Sequence, residues 1–218
     1  MKYVLLGGAA REQLALVRGA RIVTTAVGIL DMEGDGGITF RALGDRLATG
    51  PGAIYWHITG KETLLAAATE AVVAALPADD PGATPRGAVR ARALAVFDAI
   101  DTHPWVGAQL ARTAWQSPML PVFERIGRQV TALGVPEAAR FTAASTLLSY
   151  ILGEAGQHAA NALAARPGAD REAFLGTERY AFTRGVAGRL RAHDDRAEFL
   201  AGVDLFLAGI TALRAAEG

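Results

Sequence analysis

Apolar residues recur at helical spacing along almost the whole chain. Leu14, Val17, Ile22, Ala26, Ile29 and Leu30 form the first such run, and Gly34-Asp35-Gly36-Gly37 ends it. Thr39 then stands where an N-cap belongs, ahead of a short helix with Phe40, Leu43 and Leu47 on one face. Ile38 and Leu43 occupy the two positions of a hydrophobic staple around that cap. The turn Ala48-Thr49-Gly50-Pro51-Gly52 leads into a second short helix, with Pro51 near its first position and Ala53, Ile54, Tyr55, Trp56 and His57 following. Thr59-Gly60-Lys61-Glu62 has the spacing of a capping box, and Leu65, Ala68, Val72 and Leu76 continue one apolar stripe behind it.

Pro77-Ala78-Asp79-Asp80-Pro81-Gly82 reads as a linker. Helix starts follow at Thr84-Pro85, Pro104, Ser117-Pro118 and Pro136. Asp170 opens a further predicted helix running to about His193, and Asp195-x-x-Glu198 opens the last. Strand-like alternation and internal repeats are missing from the pattern. It therefore predicts an all-α chain of about nine helices: an N-terminal extension over 1–15, a three-helix unit over 16–76 and a helical bundle over 84–218.

Composition supports this reading. Alanine, the best helix former, supplies 46 of 218 residues. A chain that is 51% hydrophobic buries a core, which excludes intrinsic disorder. The absence of cysteine removes thiol nucleophiles, thiolate metal sites and disulfides. Basic and acidic residues balance at 22 each, and residues 1–76 carry seven of each, so bulk charge does not point to nucleic acid. The start, Lys2 before Tyr3-Val4-Leu5-Leu6, offers either a short leader peptide or a loose arm or short helical extension; the arm or extension is the preferred reading, with the protein expected in the cytoplasm. No apolar stretch approaches the ~20 residues of a membrane span.

A short helix, a tight turn and a second short helix make the helix-turn-helix unit, whose second helix enters the DNA major groove. The residues sharpen this. Ile38-Thr39-Phe40-Arg41-Ala42-Leu43, the helix end at Leu47, Ile54-Tyr55-Trp56-His57-Ile58 and Lys61-Glu62-x-Leu64-Leu65, after a long first helix ending in glycine, resemble the DNA-binding domain of the tetracycline-repressor (TetR) family over roughly residues 16–76. The resemblance implies that Thr39 caps the support helix and donates to a phosphate, and that Arg41 reaches the groove or backbone. Pro51, Gly52 and Ala53 would lie against base edges, Tyr55 and His57 on phosphates or flanking bases, and Lys61 on a phosphate. Independently of the family, Lys61 sits at a helix start, where free N–H groups already favour an anion. The alternative for Tyr55-Trp56-His57 is ordinary packing. Pro51-Gly52-Ala53 carries no Asn, Gln or Arg to read purines, which leaves Arg41 as the candidate for a bidentate guanine contact.

Two later segments carry heptad rhythm: Phe199, Val203, Phe206, Ile210 and Leu213, and Phe141, Ser145, Leu148, Leu152, Ala155, Ala159 and Ala162. Such seams call for partner helices. Two copies of each form a four-helix bundle across a two-fold axis, which is also what the resemblance implies; packing within one chain is the alternative. Phe141, Leu148, Leu152, Phe199, Val203, Phe206 and Ile210 are the candidate dimer residues. A second face, Ala144, Leu147, Ile151, Glu154 and His158, points away from that seam, and burying Glu154 and His158 requires partners or a polar ligand. With Phe97, Trp105, Trp115, Met119 and Phe123 it suggests a mostly apolar small-molecule pocket. The alternatives are a satisfied Glu154–His158 pair, or a metal held by Glu154, His158 and His103. The preferred reading needs no metal or cofactor. Nucleophile-elbow, metalloprotease and dinucleotide motifs do not occur, so an enzyme is not expected. The sequence thus predicts a ligand-responsive regulator, a repressor, bound as a homodimer to pseudo-palindromic operator DNA and released by a small, largely apolar effector. A helical protein-binding adaptor without DNA affinity, or an all-helical enzyme, is the alternative.

Overall fold

The computed structural model describes residues 8–55, 58–113, 117–164 and 180–215. Within them the all-helical expectation holds. The helices are α1 (Gly8–Gly37), α2 (Phe40–Leu47), α3 (Pro51–Tyr55), α4 (Lys61–Ala74), α5 (Pro85–Thr102), α6 (Pro104–Thr113), α7 (Leu120–Ala132), α8 (Glu137–Ala164), α9 (Ala181–Gly185), α10 (Ala187–Arg191) and α11 (Asp195–Ala215), with a 3-10 turn at Ser117–Met119 before α7. These are 11 helices among the described residues rather than about nine. Of the segment predicted as one helix from Asp170 to His193, residues 170–179 lie outside the described residues. The rest is two five-residue helices on either side of Val186, beside Gly185 and Gly188, where glycine weakens a continuous helix. No helix among the described residues is long and apolar enough to cross a membrane.

The chain divides into two compact units. One is Met1–Leu76 with Trp105–Leu120; the other is Pro77–Pro104 with Pro121–Gly218. The sequence pattern had assigned everything after residue 84 to the second unit. The 3-10 turn at Ser117–Met119 instead packs on α4, and the Trp105 indole N–H donates to Asp31 of α1 at 2.7 Å, so this excursion belongs with the first unit.

In the first unit, α1 packs on α2 and α4, and Ile22, Ala26, Ile29, Leu30, Ile38, Leu43, Ile54, Ile58, Leu64 and Ala68 are buried. The regular part of α1 gives out at Gly34, whose φ of 66° is the left-handed region that glycine enters without a Cβ clash. Thr39 caps α2 as expected, its hydroxyl accepting from the Ala42 N–H at 3.0 Å. The capping box at Thr59–Glu62 does not form. Gly60 is the N-cap of α4 and makes no side-chain cap bond, while the Thr59 hydroxyl meets the Thr63 hydroxyl at 3.4 Å.

In the second unit α5, α8 and α11 pack against one another around Val89, Val96, Phe97, Ile100, Leu147, Ile151, Phe199, Val203 and Leu207. Thr84 caps α5, with Pro85 at its start. Asp194, not Asp195, caps α11 by accepting from the Ala197 N–H at 2.9 Å. Arg92, 5% exposed, donates to the Pro77 carbonyl at 2.7 Å and to the Asp79 carboxylate. Asp79 accordingly sits below the usual carboxylate range: the Arg92 hydrogen bond is the main cause, opposed by partial burial and aided by the charges of Arg92, Arg125 and Arg128. Arg86 and Arg90 on α5 likewise grip Asp204 on α11 and lower its pKa, the Arg90 hydrogen bond first.

Candidate nucleic-acid interface

Three buried side chains set the helix-turn-helix. Ile38 before α2, Leu43 within it and Ile54 within α3 are 2%, 0% and 0% exposed, so each helix is held by its apolar residues and turns its polar ones outward. Between them the chain turns at Ala48, which takes the left-handed conformation (φ 52°, ψ 44°), while the Thr49 N–H closes on the Gly44 carbonyl at 3.0 Å. This is the only positive φ at a non-glycine residue among the described residues. It has an energetic cost that the surrounding core overcomes.

The outward residues are Thr39 and Arg41 from α2, Gly52, Ala53 and Tyr55 from α3, and Lys61 from α4. His57 lies outside the described residues, as does Trp56, and of Pro51 only the backbone, at the first position of α3, is described. Tyr55 is 53% exposed, and its ring stacks on Phe40 with centroids 4.3 Å apart and planes 14° from parallel. Phe40 thus braces the tyrosine from α2 and leaves the phenol accessible. The sequence pattern missed this role, since Phe40 reads there as part of the core stripe. Gly52 and Ala53 place almost no side chain on the surface of α3, so its backbone can come close to a partner.

Two cations are tied down within the unit. Lys61 Nζ donates to the Asp35 carbonyl at 2.6 Å and lies 3.1 Å from its carboxylate, and Arg46 meets Glu33 at 2.7 Å. All four side chains are 39–50% exposed. Such surface pairs contribute between about 0 and 1 kcal/mol, so they hold both cations only weakly. Asp35 and Glu33 follow from the end of α1, and no spacing rule in the sequence announces them.

The proposed ligand residues are drawn from both units. Trp105 and Met119 are buried in the first unit. Phe97, Phe123, Leu147, Ile151, Glu154 and His158 belong to the second unit, and Trp115 lies outside the described residues. His158 does not pair with Glu154. Its Nε2 lies 2.8 Å from Asp101 and its Nδ1 3.2 Å from Asp195, while Phe97 packs on the ring at 4.8 Å. No group of three metal-capable side chains converges among the described residues, so Glu154, His158 and His103 do not form the metal alternative.

Most of the stripe expected to meet a partner chain is buried within one chain. Phe199, Val203, Ile210 and Leu148 are at most 5% exposed within one chain and form its core, so they cannot serve as outer contacts. Phe206 is half-buried against Tyr150, Leu152 is half-buried, and Phe141 is 66% exposed. The Tyr150 hydroxyl donates to the Phe199 carbonyl at 3.1 Å, and its pKa is raised by burial first and by the charges of Glu154 and Glu198 second. The outer face of α11 is instead Ala201, Leu205, Ala208 and Ala212, with Leu205 76% exposed; that of α8 is Thr142, Thr146, Ser149 and Gly153.

A capped helix, a tight turn and a second helix that shows mainly backbone define a helix-turn-helix head, here joined to a helical bundle. The comparisons agree. Residues 76–214 match the family described as tetracyclin repressor-like, C-terminal domain. The transcriptional regulator SCO7222, a TetR from Streptomyces coelicolor, is 53% identical over 88% of this chain and 97% of its own, with a TM-score of 0.78. BioQ, solved with its double-stranded DNA operator, is 25% identical over 89% of this chain and 98% of its own, with a TM-score of 0.63. ActR from Streptomyces coelicolor, solved with actinorhodin, shares the fold at 23% identity over 90% and 97%, with a TM-score of 0.72. A curated HTH-type transcriptional regulator from Saccharopolyspora erythraea is 28% identical over 61% of this chain, a match that spans 57% of that relative's length. The chain belongs to the TetR family of transcriptional regulators.

Proposed function

We propose that this chain is a repressor that binds a pseudo-palindromic operator as a homodimer and leaves it when a small, largely apolar effector binds the second unit. The observation that carries the DNA reading is the head itself: Leu43 and Ile54 locked in the core beneath Thr39, Arg41, Gly52, Ala53, Tyr55 and Lys61, all exposed. Each exposed group suits its task. Thr39 and Tyr55 offer hydroxyl donors, Lys61 stands at an uncapped helix start, and Arg41 has the fork to pair a guanine edge. BioQ, which shares the fold, is solved on its operator, and this supports the same use of the head here.

The outer faces of α8 and α11 are rich in small residues, which let helices approach closely, and Leu205 supplies an exposed apolar anchor. Two copies of both faces form a four-helix interface across a two-fold axis. An effector acts by preferring one spacing of the two heads, with a typical coupling of 1–3 kcal/mol. The chain crosses between its units at Leu76–Pro77, Pro104–Trp105 and Leu120–Pro121, so α6 and the turn after it connect effector-binding and DNA-reading parts covalently. The test is a gel shift with the DNA upstream of the chain's own gene: a discrete complex of two chains per duplex supports the reading, and binding no tighter than to random duplex contradicts it.

A further inference from the structure

The reading above leaves a groove in the second unit without a role. It runs between α7 and the first turns of α8 as an open cleft of about 380 Å³, lined chiefly by Phe123, Glu124, Gly127, Arg128, Arg140 and Phe141. This volume falls within the usual range for small-molecule sites. Each wall carries one aromatic ring and one arginine. The rings of Phe123 and Phe141 meet edge to face at 6.3 Å, an apolar floor that spans both helices. Arg128 and Arg140 supply positive charge from opposite walls.

The Arg140 Nε–H donates to the Val135 carbonyl at 3.0 Å, which fixes the guanidinium and leaves its two terminal nitrogens for another acceptor. Among the described residues neither arginine has a carboxylate within ion-pair distance. Glu124 shares the groove, so the lining carries one positive charge in excess. Gly127 lies in the α7 wall, and a Cβ built there meets nothing within 4 Å, so the groove stays open where any other residue would narrow it.

We propose that this groove binds a small aromatic carboxylate, its ring body on Phe123 and Phe141 and its carboxylate between Arg128 and Arg140. A planar acid matches a guanidinium fork in a way that a neutral molecule cannot. The proposal names the chemistry of the effector and rests on the effector reading for any consequence at DNA; the binding itself does not.

Calorimetric titration of the full chain with naphthoate and with its neutral counterpart naphthamide tests it. Naphthoate binds about ten-fold more tightly than naphthamide, the scale of one charge-assisted hydrogen bond, and only naphthoate weakens with added salt. Arg128→Gln removes most of that difference. Gly127→Leu blocks both molecules while keeping or raising the melting temperature, because leucine favours the helix more than glycine does, so lost binding cannot be ascribed to unfolding. Equal affinity for the two probes, no binding of either, or unaltered binding to the Gly127→Leu chain overturns the proposal. Naphthoate that binds as described yet leaves operator affinity unchanged upholds the site and refutes its role as effector site.

Discussion

Two substitutions on α11 separate the observed core from the seam that heptad spacing suggests. Phe199 is fully buried, stacks with Tyr150 at 5.9 Å, meets Phe97 at 4.7 Å with tilted planes, and its carbonyl takes the Tyr150 hydroxyl bond. Phe199→Ala leaves a ring-sized cavity among these groups. Deleting a buried phenylalanine costs about 3–5 kcal/mol, with the aromatic pairs contributing about 0.5–1.5 kcal/mol each within that range. For a chain of this size each kcal/mol lowers Tm by about 2–4 °C, so the loss is roughly 6–20 °C. Leu205→Glu removes little from the core of one chain, because the side chain is 76% exposed. Across a two-fold interface it sets two carboxylates against an apolar surface, at several kcal/mol. Sedimentation velocity together with melting curves at several protein concentrations reads both effects. Phe199→Ala should melt early and remain a dimer below its transition; Leu205→Glu should sediment as a monomer. A stable monomeric Phe199→Ala, or a Leu205→Glu that stays a dimer, would refute the assignment of the two faces.

Three further outcomes follow from local geometry. Ile54→Ala empties the core beneath α3 and should cost about 2–5 kcal/mol, abolishing DNA binding while leaving hydrogen exchange in α5, α8 and α11 near its original rate. Ala48→Gly should stabilise the head by about 1 kcal/mol, since glycine relieves the left-handed strain; an unchanged or lower denaturation midpoint would speak against that strain. Asp79 and Asp204 have carboxyls lowered by arginine hydrogen bonds, so their stabilisation is present above the unfolded carboxylate range and is lost as pH falls through the folded values. Acid titration of the double variant Asp79→Asn with Asp204→Asn should therefore show a flatter loss of stability below about pH 4 than the parent shows.

Much of the head was legible because its signals are local. Thr39 before Phe40, the glycines after Met32 and the staple of Ile38 with Leu43 are set by backbone chemistry within a few residues, and all appear in the structure. The second unit was legible only as helices. A heptad rhythm marks an apolar stripe but not what covers it, and in an alanine-rich helix most faces are apolar enough to serve. The inward stripe of α11 is thus Phe199, Val203, Leu207 and Ile210, one residue away at a single position from the spacing that suggested a seam. Long-range polar partners were not legible at all. His158 finds Asp101 and Asp195, Trp105 finds Asp31 and Lys61 finds Asp35, over separations that no local rule connects.

The central claim is that the surface around α3 reads duplex DNA, and its salt dependence tests this most directly. Fluorescence anisotropy with a labelled upstream duplex, measured across a range of salt, gives affinity and slope together for the parent, Lys61→Ala and Arg41→Ala. Lys61→Ala should weaken operator and random duplex alike and reduce the slope by about one, as the loss of one phosphate contact requires. Arg41→Ala should also narrow the gap between operator and random duplex by about 1–3 kcal/mol. Parental affinity and slope in both variants would contradict the assignment of this surface to DNA.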